Sequence, residues 1–278
     1  MNSAAHSCKQ TDVTHMISLE HTTTVLDSEL QALYGRIAEM GGLVERQIVE
    51  AIRALTNRDQ ERGRQVVAAD ATIDVMQRAI EESAVETIAR RQPVAVDLRQ
   101  FVGILRIAHE LERIGDLAKN IGKRVGAIKQ EDMPRRVMGG VRHMATLMLD
   151  QLRDVLDSFA SRDVTKAVEV WAGDQHIDRI YTSLFRELLT HMIEDSATVI
   201  FGVHLVFCTK NIERMGDHAT NIAEAVHYMV KGHVLWQDRP KADLTPTVAL
   251  ADGTNAFSLS TNDVRRACPN GSLVLLMS

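Results

Sequence analysis

The sequence predicts an all-α protein: two three-helix bundles in tandem, followed by an irregular C-terminal tail. Three observations carry that expectation. Aromatic residues are only 4% of the 278, while the hydrophobic share is 45%, a balance that suits packed helices better than strands. The five prolines, Pro93, Pro134, Pro240, Pro246 and Pro269, leave three long spans free of the residue that helix interiors exclude. The chain also repeats itself. "ELERIGDLAKNI" (110–121) is nearly rewritten as "NIERMGDHATNI" (211–222), 101 positions on. "ALTNRD" (54–59) and "DATID" (70–74) return as "SFASRD" (158–163) and "DQHID" (174–178), 104 positions on. A three-residue deletion between Asp178 and Glu213 reconciles the two offsets and gives halves of residues 28–129 and 134–232.

Each half reads as three long helices. The first helix, from Ser28 to near Asn57, carries Leu30, Leu33, Ile37, Val44, Ile48, Ile52 and Leu55 at helical spacing. Asn57 or Asp59 then offers a cap. The second helix runs to near Arg91, with Val66, Ala69, Ile73, Met76 and Ile80 as its apolar seam. Pro93 is placed in the first turn of the third helix, where proline is tolerated. That helix continues to near Lys129 on the seam Ile104, Ile107, Leu111, Ile114, Ala118, Ile121 and Val125. The link "KQEDMP" opens the second half, whose matching seams are Val170, Gly173, Ile177, Ile180, Leu184, and Leu205, Cys208, Ile212, Met215, Ala219, Ile222, Val226. Helices near thirty residues are about 45 Å long, and three with short links pack as an antiparallel bundle. Beyond Gly232 the Pro, Gly, Ser, Thr and Asn content rises without a sustained period, and this stretch reads as a loose tail. Residues 1–20 read similarly.

A net charge of −5 with acids and bases interspersed argues against nucleic acid as the main partner. Cys8, Cys208 and Cys268 are far apart and odd in number, with no disulfide framework, so a reducing compartment is expected. The N-terminus lacks a basic start followed by an apolar run, and no stretch nears eighteen apolar residues. The cytoplasm is the expected location.

The repeated polar residues are the chemistry-bearing feature. Glu112, Asp116 and Asn120 step by four along one shoulder of the third helix, as do Glu213, Asp217 and Asn221 in the second half. Asp70/Asp74 and Asp174/Asp178 lie beside the middle-helix seams. Each half is thereby expected to gather four carboxylates: Asp70, Asp74, Glu112 and Asp116, and Asp174, Asp178, Glu213 and Asp217. Two carboxylates about 6 Å apart repel by roughly 3 kcal/mol at an effective dielectric near 20. Protons, lysine and arginine, or a metal must offset this. Arg113 and Arg214 point about 100° further round the helix, so a metal is the sharper explanation. All-oxygen ligands favour hard cations, and the lack of cysteine disfavours a structural zinc site. Against this stands chance. A chain with 37 acids among 278 residues holds about five such i,i+4 pairs, and most are solvated helix faces. The repeat shifts the balance. Seven of eleven positions agree between 111–121 and 212–222, and most of the shared residues are polar ones that core packing does not require. Gly115 and Gly216 each cost a helix about 1 kcal/mol and read as points of close helix approach. Asn120 and Asn221 read as capping or interhelical hydrogen-bonding groups rather than ligands, and His218 as a partly exposed side chain.

Enzyme signatures are sparse. A ferritin-like di-iron site needs two Glu-x-x-His motifs, and only Glu224–His227 has that spacing. "HELER" (109–113) has Arg113 where the zinc motif requires histidine, and no phosphate-binding glycine loop is present. A carboxylate-bridged metalloenzyme is the alternative to a binding and signalling protein.

"LERIGDLAKNI", "IERMGDHATNIAEAV", "RRQPVAVDLR" (90–99) and "EMGGLVERQIVEAI" (39–52) resemble the signature of the PhoU family, the phosphate transport system regulatory proteins. The resemblance spans residues 21–233, with bundles at 21–129 and 133–233. Residues 234–278 depart from it. It implies two bundles related by pseudo-twofold symmetry, a non-enzymatic role and a homodimer. It also implies an adaptor, peripheral to the membrane, between the ATPase subunit of a phosphate ABC transporter and a sensor histidine kinase. Such an adaptor keeps the phosphate-starvation response off when phosphate is plentiful. The resemblance further implies bound iron, zinc, manganese or magnesium at the motifs Asp70/Asp74, Glu112/Asp116, Asp174/Asp178 and Glu213/Asp217.

Overall fold

A computed structural model describes residues 4–128 and 135–235, with side chains from 25–128 and 136–235. These residues belong to one compact unit. The expected tail beyond residue 235 and the link at 129–134 lie outside the described residues. Among those described, every regular element is helical: α1 (Ala4–Asn57), α2 (Gln60–Arg91), α3 (Val96–Val125), α4 (Arg135–Ser161), α5 (Val164–Gly173), α6 (Gln175–Glu194) and α7 (Val199–Lys231), with a 3₁₀ turn at Ser196–Thr198.

α1 begins at Ala4 instead of near Ser28, so residues 4–20 are not the loose segment expected. They contain neither Pro nor Gly, and nothing in them stops a helix from propagating. Ser28 sits inside the helix and donates its hydroxyl to the Val25 carbonyl at 2.8 Å. The turn after α1 uses Asp59 as the cap, which accepts from the Arg62 N–H at 2.9 Å. Arg58 before it takes a left-handed φ of 54°. The second half repeats the device with Arg162 at φ 56° and Asp163 accepting from the Thr165 and Lys166 amides. Pro93 precedes α3 by three residues and lies in the link, not in the first helical turn.

The second half departs from three unbroken helices. Its middle helix is interrupted between α5 and α6 at Asp174, just after Gly173, which stands where α2 has Ala69. Glycine is the weaker helix former, and the ladder tightens there, with the Ile177 N–H donating to the Asp174 carbonyl at 3.0 Å.

Both third-helix seams are buried along their full length, from Ile104 to Val125 and from Leu205 to Val226. α1–α3 form one bundle and α4–α7 the other. α3 and α7 join them, running antiparallel about the pseudo-twofold axis. Gln100 Nε2 donates to the Met229 carbonyl at 3.1 Å, Asn221 donates to Glu110 at 3.1 Å, and Arg124 meets His204 at 3.4 Å. α1 and α4 add a second seam, where Tyr34 stacks on Phe159 at 4.7 Å and Arg153 pairs with Glu45.

In the first half, α2 and α3 approach through two glycines. A Cβ built on Gly63 would stand 2.9 Å from the Gly122 carbonyl oxygen, and one on Gly122 the same distance from that of Gly63. The matched residues of the second half are Ala167 and Ala223. Ala at either glycine gains about 1 kcal/mol of helix propensity, but a clash with backbone costs about 1–3 kcal/mol. Gly63→Ala and Gly122→Ala are therefore expected to lower stability by about 1 kcal/mol in urea titrations. A gain in stability would show that the helices separate freely.

Candidate site at the repeated acidic motif

The repeated acids do not all occupy a shoulder. Asp70, Asp174, Asp178 and Glu213 are buried, at 3%, 1%, 3% and 4% exposure. Ala69 and Gly173, assigned to the seam by their apolar character, face outward instead. Asp70 thus takes a core-facing place between Val66 and Ile73 in α2, and Asp174 the equivalent place before Ile177. A buried carboxylate needs partners, and glutamine supplies one in each half. Gln47 Nε2 of α1 donates to Asp70 Oδ1 at 3.2 Å, and Gln151 Nε2 of α4 donates to Asp174 Oδ1 at 3.4 Å.

The glycine of the motif explains itself here. A Cβ on Gly115 would lie 3.1 Å from Gln47 Oε1 and 3.2 Å from Ile73 Cδ1. One on Gly216 would lie 3.1 Å from Asp174 Oδ1 and 3.2 Å from both Gln151 Oε1 and Ile177 Cδ1. The third helix is thinned so that the glutamine and the middle helix can come against it.

The first half offsets its charge with lysine. Lys119 Nζ lies 2.5 Å from Asp70 Oδ2 and 2.6 Å from Asp116 Oδ1, bridging α2 and α3. Bonds to Asp116 and then Asp70 push its pKa up. Arg113, read from sequence as pointing away, reaches back to 3.5 Å from Glu112 and 3.7 Å from Asp116. A long, flexible stem lets its head return to the acids. Burial, followed by the charges of Asp116 and Asp74, pushes the Glu112 carboxyl up. The first-half acids are close enough to feel one another. In the second half Lys210 Nζ lies 2.9 Å from Glu213, and Thr220 stands where the first half has Lys119. Its hydroxyl donates to the Asp217 carbonyl at 2.7 Å.

Among the described residues, no three His, Cys, Asp or Glu side chains converge closely enough to hold a metal ion. In the first half the misfit has a direct cause, because an ammonium already lies between Asp70 and Asp116. Both clusters do keep one feature suited to a hard cation. Gln47 Oε1 and Gln151 Oε1 are buried carbonyl oxygens without a hydrogen-bond partner. These glutamines, Lys119 and Glu110 are the functional candidates that sequence reasoning missed. Gln47 and Gln151 were findable as identical polar residues at the 104-residue offset.

Neighbouring polar residues are otherwise engaged. Asn221 is an interhelical hydrogen-bonder, donating to Glu110. His218 Nδ1 sits 2.6 Å from the same carboxylate. Glu224 accepts from Trp171 Nε1 at 3.0 Å while His227 Nδ1 meets the His233 carbonyl at 3.1 Å, so the Glu-x-x-His pair has separate partners. Burial pushes the Cys208 thiol up to about 12.

Each half has a groove between its first and second helices, lined at matched positions. The first, of about 230 Å³, includes Arg46, Gln47, Glu50, Arg62 and Gln65. The second, of about 320 Å³, includes Asp150, Gln151, Asp154, Lys166 and Glu169. Glu50/Asp154 and Arg62/Lys166 keep their signs, while Asp150 replaces Arg46 and Glu169 replaces Gln65, so the second groove is the more acidic. No helix among the described residues is long and apolar enough to cross a membrane.

The family model described as the PhoU domain matches residues 37–125 and 141–226. Its two starts differ by 104 and its two ends by 101, the offsets of the repeat. A "Phosphate-specific transport system accessory protein PhoU homolog" of Rhizobium meliloti (strain 1021) is 49% identical over 232 residues, 84% of this chain and 98% of that protein. The "Phosphate-specific transport system accessory protein PhoU" of Escherichia coli (strain K12) is 36% identical over 213 residues, covering 77% of this chain and 88% of its own. Among solved structures, PhoU from Pseudomonas aeruginosa superposes with a TM-score of 0.71 at 37% identity, over 74% of this chain and 99% of that one.

Two stability effects are expected from this geometry. Lys119→Met leaves the buried Asp70 carboxylate without its ammonium and should cost about 2–4 kcal/mol. Asp70→Asn in the same chain should recover part of the loss, and an unchanged urea midpoint for Lys119→Met alone would contradict the bridge. For Glu110, burial opposes ionisation, but bonds from His218 and Asn221 outweigh it and hold the carboxyl below its usual range. A depressed folded pKa gives stability that is present above the ordinary value of 4.5 and lost as pH falls through the folded one. Glu110→Gln should remove that part of the acid sensitivity below about pH 4.5, as read by urea midpoints against pH.

Proposed function

The chain belongs to the PhoU family, and on that footing we propose that it regulates phosphate uptake and the phosphate-starvation response. It acts as an adaptor between the ATPase subunit of a phosphate ABC transporter and a sensor histidine kinase, holding the response off when phosphate is plentiful. The observation that carries this reading is the family match in both halves, together with a relative that the chain covers almost end to end and that is named as a transport system accessory protein. The two grooves, the second more acidic than the first, supply surfaces of unlike character on one scaffold, as an adaptor with two partners requires. The reading places the protein in the cytoplasm, as a homodimer, at the membrane only through its partners, and without catalysis of its own.

Metal binding enters the proposal at the second half. Asp174, Asp178, Glu213 and Asp217, beside the buried Gln151 oxygen, would hold a hard cation, with iron, zinc, manganese and magnesium as the candidates. Such a cation would supply positive charge among carboxylates of which three are buried.

The adaptor role is tested by co-purifying the protein with the ATPase subunit and, separately, with the cytoplasmic part of the kinase. Association with both at high phosphate is expected. Failure to associate with either under that condition would overturn the reading. Light scattering of the purified protein should give twice the chain mass.

A further inference from the structure

The two acidic clusters descend from one repeated pattern, yet they place their lysines differently: Lys119 in the first, and Lys210, beside Glu213, in the second. In α3 the residue three past Asp116 is Lys119. In α7 the residue three past Asp217 is Thr220. The lysine side chain is 22% exposed, and its ammonium lies 2.5 Å from one carboxylate and 2.6 Å from another, on two different helices. That is the place and the charge a cation would take. The surrounding donors suit one: Asp70 is 5% exposed at its side chain, and beside it the Gln47 carbonyl oxygen is buried without a hydrogen-bond partner.

We propose that Lys119 is a tethered cation that closes the first acidic cluster to metal. A divalent ion entering between Asp70 and Asp116 would have to displace an ammonium that is covalently held at high effective concentration and is bonded to both carboxylates. It would also meet that ammonium's charge at short range. The first half therefore keeps its helices clamped at any metal supply. The inference deepens the metal reading above, but its test stands apart from that reading.

The test is Mn²⁺ titration followed by calorimetry and by the loss of the free-ion electron spin resonance signal. It uses the full chain and the variants Lys119→Thr, Lys119→Arg, Asp116→Ala and Lys119→Thr/Asp116→Ala. Lys119→Thr removes the ammonium from between Asp70 and Asp116 and is expected to add one bound Mn²⁺ per chain. Asp116→Ala in that background should remove the added ion, and Lys119→Arg should add none. Circular dichroism and melting check that each variant folds, with Lys119→Gln as the substitute should the threonine variant not fold. The proposal is overturned if neither neutral variant binds more Mn²⁺ than the parent chain, or if the parent itself loses Mn²⁺ on Asp116→Ala. A parent chain that binds none, beside a Lys119→Thr chain that binds one, supports the lysine's role and sinks the second-half metal reading instead.

Discussion

A carboxylate buried in the middle of a helical bundle constrains everything around it. Asp70 stands in the buried row between Val66 and Ile73, and Asp174 between Val170 and Ile177. An isolated charge there would be lost to protonation or would unfold its surroundings. The structure meets that demand with the same parts twice. A glutamine from the first helix donates to the aspartate, and a glycine in the third helix gives the glutamine room. Gly115 and Gly216 are thus placed by the need to reach a buried acid, which is why they persist in both halves despite their cost to the helix.

From that common frame the halves diverge in how they balance charge. The first draws α2 and α3 together with Lys119, and its two helices touch at Gly63 and Gly122. The second has alanines at the touching point, threonine at the lysine position and a break in its middle helix beside the buried Asp174. Backbone contact through two glycines belongs to one half, and an interrupted middle helix belongs to the other. The antiparallel α3–α7 junction, fastened by Glu110 with His218 and Asn221, holds these unlike halves as one body.

Much of this was legible in the sequence. The seams of both third helices were readable residue by residue because large aliphatic side chains at helical spacing have one favourable place to go. The middle helices were harder. Ala69 and Gly173 count as apolar but lose little by facing water, whereas Asp70 and Asp174 look solvated until their partners on other helices are known. Those partners, Gln47 and Gln151, lie 23 residues away in sequence, beyond any local pattern. Lys119 was overlooked for a related reason. A lysine three residues past an aspartate is ordinary surface chemistry, and only the fold brings Asp70 to its other side. The start of α1 was missed because a polar stretch without proline reads alike as helix or as loose chain.

The paired grooves carry a consequence for assembly. Had the repeat stayed faithful, turning the molecule end over end would present the same face, and a ligand spanning both halves could settle in either sense. With Arg46 and Gln65 in one groove answered by Asp150 and Glu169 in the other, that degeneracy is gone. The scaffold has acquired a polarity, and anything that reads both grooves at once can sit on it only one way round.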